Sequence, residues 1–236
     1  MKRAVLCVLA ACGGAKQPAA HGSTGIARAL AATIAAAEQR NAPWRCVADD
    51  LPELAPVTLG AWTVEPHAIS HAAVPQLAIG IVADAGGDDP KTLAALGRVR
   101  KQLDDAQVEL VLALGGMGTT QKQLEATLGV LAKPSSPVVA LPGDLESVAA
   151  ETRAIRTLAS KGQPVIDGRL VRWITLPDAT IGTIAGAGSP LRIAGGDGCV
   201  WQTEAVQELY RQLAEKPGLR IAATAEAPRD GDAGET

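Results

Sequence analysis

The chain has 236 residues, 47% of them hydrophobic and 20% charged, which suits one globular domain and admits two. With no Phe and only 2% aromatic residues, its core must be filled by Ala, Val, Leu and Ile, and a chain of this length can bury enough of them. The net charge is −3, and −5 (20 basic against 25 acidic) without a leader carrying Lys2 and Arg3; this argues against nucleic acid as a partner, because affinity there comes mainly from neutralised phosphates.

Residues 1–11 form a basic start followed by a short apolar run. The run is far below the roughly 20 residues that span a bilayer, so it predicts a signal peptide rather than a transmembrane helix. Leu9-Ala10-Ala11-Cys12 resembles the bacterial lipobox. The resemblance implies cleavage before Cys12, acylation of that residue and an exported protein held on a membrane through it. With Gly13-Gly14 next and no Asp beside Cys12, it further implies the outer membrane or periplasm in a Gram-negative host. One acyl chain anchors only marginally, so stable attachment needs several. Residues 12–24 are small and polar, a flexible tether. Residues 25–43 predict an Ala-rich helix that Ser23 or Thr24 can cap and that Asn41 and Pro43 end.

A main domain is predicted from 44 to 226, followed by a polar tail, 227–236. It opens with strands at 44–47 and 57–64, then a loop at 65–76 holding His67 and His71. Their i,i+4 spacing would suit two metal ligands on a helix. Pro66 and Pro75 bracket them, however, and no third ligand accompanies them, so they read as polar loop residues.

The centre of the chain repeats one pattern three times: a short apolar run, a small-residue turn, then helical spacing. The joints are LAIGIVADAGG (77–87), VELVLALGGMG (108–118) and PVVALPGDLE (137–146), with helices over 90–106, 119–133 and 147–161. Such alternation predicts an α/β fold with a parallel sheet. Ligands of such sheets bind outside the carboxyl ends of the strands, where the joints converge. The residues available there are Asp84, Gly86, Gly115 to Thr120, Asp144 and Glu146, with Asp88 and Asp89 just downstream. A hairpin is predicted over 165–176 around Asp167-Gly168, because Asp-Gly suits a two-residue turn. A strand at 179–185, a Gly-rich loop at 186–199, a helix at 203–216 and a strand at 219–225 complete the domain. Cys46 and Cys199 are the cysteines left beyond Cys12, a disulfide candidate in an oxidising compartment. Closing so long a loop contributes on the order of 4–5 kcal/mol in the chain-entropy model.

At the three joints the sequence resembles the calcineurin-like metallophosphoesterases, whose strand ends carry D-x-H, G-D-x-x-D and G-N-H-D/E. The resemblance covers residues 77–226 and implies a two-sheet sandwich flanked by helices; an open doubly wound α/β sheet is the alternative. By this resemblance the first Asp of the family matches Asp84, while its His becomes Gly86. The bridging Asp becomes Gly116, the metal-binding Asn becomes Asp144, and the following His becomes Leu145. Glu226 stands at or next to the place of a later metal-binding His.

With so few ligands kept, the resemblance implies a catalytically silent binding or structural protein that needs no cofactor and engages an unidentified protein or small molecule. Asp84, Asp144, Glu146 and Glu226 remain as candidates for one divalent cation, since carboxylates suit a hard ion. A dinuclear centre needs a paired set of ligands that is absent here. Two alternatives stay open: a single-metal phosphoester hydrolase using Asp84, Asp144 and Glu226, and a phosphate or nucleotide binder using the glycine-rich turn at 115–120, where backbone N–H groups open a helix. Neither G-x-S-x-G nor C-x-x-C spacing occurs.

Overall fold

A computed structural model describes residues 57–59, 61–65, 67–72, 77–188, 197–201 and 203–226. The segments predicted as signal peptide, tether, helix 25–43, strand 44–47 and tail 227–236, with Cys12 and Cys46, lie outside them.

The described residues form a mixed α/β fold of two sheets and four helices. One sheet is wholly parallel, with strands β4 (Ile79–Val82), β5 (Leu110–Leu114), β6 (Val138–Leu141) and β7 (Val165–Asp167) in that order. The other is mixed, with the order β1 (Val57–Leu59), β2 (Trp62–Glu65), β3 (His67–His71), β8 (Val171–Thr175), β9 (Ala179–Ile184) and β10 (Leu219–Thr224). Helices α1 (Pro90–Asp105), α2 (Gln121–Leu131) and α3 (Val148–Ser160) are the crossovers of the parallel sheet, and α4 (Thr203–Ala214) packs on β9 and β10.

Period-two alternation divides the parallel strands between two cores. Val111, Ala113, Val138 and Ala140 face the helices, meeting Leu96, Leu103, Leu124, Leu128, Ile155 and Leu158. Leu110, Leu112, Val139 and Leu141 face the other sheet, meeting Trp62, Ile69, Val171, Ile174 and Ile181. Strands buried on both faces must be apolar at every position, which explains the uninterrupted runs at 110–114 and 138–141. The helices lie on one face of this sheet and the second sheet on the other, so the open doubly wound alternative does not describe it.

Each crossover helix starts where its sequence supplies a cap. The Asp89 carboxylate accepts the N–H groups of Lys91 and Thr92, each at 3.0 Å, with Pro90 opening the helix. Thr120 Oγ1 accepts Gln123 N–H at 3.3 Å and Ser147 Oγ accepts Ala150 N–H at 3.2 Å. Such caps stabilise a helix by about 1 kcal/mol. Asp88 is occupied as well, paired with Lys122 at 2.6 Å, and that hydrogen bond holds its carboxyl below the usual range.

Three predicted elements are corrected. Residues 57–64 are not one strand: β1 and β2 pair antiparallel, Val57 with Val64. The predicted loop at 65–76 contains β3, which pairs with β2 and β8; Ile69, between the two histidines, is fully buried. The hairpin at 165–176 does not form. β7 pairs with β6 and β8 with β9, so the chain leaves one sheet and enters the other across 168–170. The turn is claimed by the parallel sheet, where Gly168 N–H donates to Ala140 O at 2.6 Å. A Cβ at Gly168 would fall 2.7 Å from Leu141 Cγ, so only glycine lets the chain cross there.

Candidate functional site

Because β4, β5 and β6 are parallel and in register, Val82 beside Ala113 and Leu114 beside Leu141, their carboxyl ends stop at one edge. Backbone bonds then knit the three joints. Asp84 N–H donates to Gly115 O at 3.1 Å, Gly86 N–H to Gly116 O at 2.8 Å and Gly115 N–H to Leu141 O at 2.9 Å. The mixed sheet reaches the same edge: Gly186 N–H, just past β9, donates to Pro142 O at 2.7 Å. Ala225, just past β10, has its Cβ so close that a Cβ at Gly115 would lie 3.1 Å from it. Five strand ends therefore converge, and Asp84, Gly86, Gly116 and Asp144 are among the residues they bring together.

Asp84 is exposed and holds a left-handed backbone, φ 53°, rare for a residue with a side chain. Gly116 beneath it is buried, with φ 66°. A Cβ at Gly116 would stand 2.7 Å from Asp84 Cα and would also run into its Oδ1. The Asp84 carboxylate thus lies over the place where a side chain at position 116 would rise. Asp144 is half-buried and Leu145, next to it, is exposed.

Glu146 turns inward instead. Its Oε1 accepts Met117 N–H at 2.7 Å and its Oε2 accepts Gly143 N–H at 2.9 Å, so one carboxylate ties the second joint to the third. Burial raises its pKa, opposed by those N–H groups. Each oxygen thus accepts one backbone N–H. Glu226 is diverted in another way, with Oε2 accepting Gly188 N–H at 2.7 Å. It is Ala225, one residue earlier, that faces the joints. Alternation along β10 carries the signal, because Ala223 points into the core between the sheets and Ala225 lies two positions on.

His71 lies elsewhere. His71 Nε2 sits 3.0 Å from Glu109 Oε2, and Trp62 Nε1–H donates to Glu109 O at 3.1 Å. Glu109 precedes β5, whereas Gly115 follows it, so this tie between the sheets stands a full strand length, about 16 Å, from the joints. His71 takes no part in the candidate site. Among the described residues no three His, Cys, Asp or Glu side chains gather as a metal-binding group.

Three amides of the glycine-rich turn are already used. Gly115 N–H is used by Leu141 O, Met117 N–H by Glu146, and Thr119 N–H by Gln123 Oε1 at 3.0 Å. Cys199, at the end of the Gly-rich segment, is half of a disulfide whose partner lies outside the described residues.

These features define an α/β protein whose two sheets bring their strand ends to one glycine-rich, weakly acidic edge. No family model and no curated protein matches the chain.

Proposed function

We propose that the chain is an exported lipoprotein whose domain has a metallophosphoesterase-like fold without the metal centre, and that it works as a catalytically silent binding or structural protein. The observation that carries this reading is Gly116 beneath Asp84. In the resemblance, position 116 belongs to the carboxylate that bridges two cations; here it has no side chain, and Asp84 occupies the space such a side chain would need. A two-metal hydrolase must hold both ions a few Å apart to generate hydroxide and clamp the phosphate. Gly86 has no side chain, those of Leu145 and Ala225 carry no donor atoms, and Glu146 and Glu226 are engaged with backbone N–H groups.

The test is a phosphodiesterase assay of the exported, folded protein with Mn²⁺, beside a metal analysis of the same sample. The reading expects background turnover, unchanged in Asp84→Ala, and less than one equivalent of bound metal. Robust Mn²⁺-dependent turnover lost in Asp84→Ala would instead establish the hydrolase.

A further inference from the structure

Behind the strand-end edge, three carboxyl groups are shut inside the protein. Glu146, Glu151 and Asp167 are 1, 2 and 1% exposed, and among the described residues Arg169 is the cation set against them. They come from three elements: Glu146 from the joint after β6, Glu151 from the first turns of α3, and Asp167 with Arg169 from the end of β7 and the turn after it.

Two of the three carboxylates are matched. Arg169 Nε donates to Asp167 Oδ1 and Oδ2 at 2.9 and 3.1 Å, and Arg169 Nη2 donates to Asp167 and, at 2.6 Å, to Thr152 Oγ1. Glu146 has the N–H groups of Met117 and Gly143. Glu151 is matched less fully, because its Oε2 is buried with no hydrogen-bond partner. A buried carboxyl oxygen without a hydrogen-bond partner favours the neutral acid over the carboxylate.

We propose that Glu151 is a neutral carboxylic acid in the folded protein at neutral pH, and that its ionisation releases the strand-end edge. Burial pushes the Glu151 carboxyl well up from its ordinary value; Arg169 draws it down, and Asp167 and Glu146 push it further up. An ionised Glu151 competes with Asp167 for Arg169 and repels Glu146, the residue that ties the joint at 115–118 to the joint at 142–146. The sign follows from linkage. A carboxyl whose folded value is raised makes the protein bind more protons folded than unfolded, so stability is lost as pH rises from the ordinary carboxyl range to the folded value.

The experiment uses the full chain labelled with ¹³C in its glutamates. The side-chain carboxyl resonance of Glu151, assigned by its loss in Glu151→Gln, is followed from neutral to alkaline pH. Amide exchange of Met117 and Gly143 is read in parallel. The expected result is one protonated glutamate at neutral pH, missing in Glu151→Gln. Protection of the two amides should fall by about tenfold per pH unit up to the point where that resonance titrates, then level off; in Glu151→Gln it should be flat. A spectrum with every glutamate ionised at neutral pH overturns the proposal, as does a protonated signal that survives the substitution. If Glu151→Gln fails to fold, the wild-type spectrum and exchange profile decide: an ionised glutamate set, or exchange whose slope ignores the titration, removes it.

Discussion

Asp84 lies directly over Gly116: a Cβ at position 116 would come within 2.7 Å of Asp84 Cα. Gly116 also has φ 66°, which a side chain resists. Gly116→Ala and Gly116→Asp should therefore both destabilise the domain, by about 2–4 kcal/mol from strain and overcrowding together. Urea unfolding at equilibrium measures this. Gly116→Asp should gain no tight Mn²⁺ binding by calorimetry, because the introduced carboxylate has no room beside Asp84. A stable, metal-binding Gly116→Asp protein would contradict the packing described.

Glu146 joins two strand ends through Met117 and Gly143. Glu146→Ala leaves two buried N–H groups without an acceptor, at about 1–3 kcal/mol each. Glu146→Gln keeps the shape but sets an amide donor against one of those N–H groups, so it too should lose about 1–3 kcal/mol. Denaturation midpoints give both values. A Gln variant as stable as wild type would mean that one of the two bonds contributes nothing.

Arg100 is a buried cation that fastens α1 to the end of α2. Its Nη1 donates to Leu131 O at 2.9 Å, and its Nη2 to Asp104 Oδ1 at 2.5 Å. Arg100→Met should cost about 1–3 kcal/mol, because the Leu131 carbonyl loses a charged donor while Asp104 keeps Lys133. The pH dependence should change too. Burial works against the Asp104 charge, but Arg100 and Lys133 together hold its carboxyl below the ordinary value. A depressed carboxyl contributes stability that is complete above its unfolded value and lost as pH falls through the folded one. The difference between wild type and Arg100→Met should therefore shrink between neutral pH and about pH 3. Urea titrations at the two pH values check it.

Cys199 is disulfide-bonded, and Cys46 is its expected partner. Digestion without reduction should yield a peptide linking the two, and Cys46→Ser should leave a free thiol at Cys199. A Cys199 peptide linked to Cys7 or Cys12 would redirect the pairing.

Cys12→Ser should move the protein from the membrane to the soluble fraction, because lipid attachment is the anchor that the leader predicts. Persistent membrane fractionation of the Ser variant would remove the lipoprotein reading.

Legibility differed between elements for a physical reason. The three crossover helices and the strands before them stood out because buried parallel strands are apolar throughout and the helices carry their own caps, Asp89, Thr120 and Ser147. Asp167-Gly168 misled because a hairpin turn and a crossing between sheets use the same residues; what separates them is the partner that β7 finds in β6. At the candidate site, Asp84, Gly86, Gly116 and Asp144 could be placed from the order of the joints. The fates of Glu146 and Glu226 could not, since a carboxylate reads alike whether it meets a cation or a backbone N–H.

The sequence alone determined which chemical groups the edge possesses, because the order of strands and glycines sets what each strand end presents: two aspartates, Asp84 and Asp144, with glycines or apolar residues around them. Only the tertiary structure decided how those groups are spent. Folding brought Met117 and Gly143 to Glu146, Gly188 to Glu226, and Asp167, Glu146 and Arg169 around Glu151. These are contacts between residues far apart in the chain, and hydrogen bonding and burial act through distance in space, on which local sequence is silent.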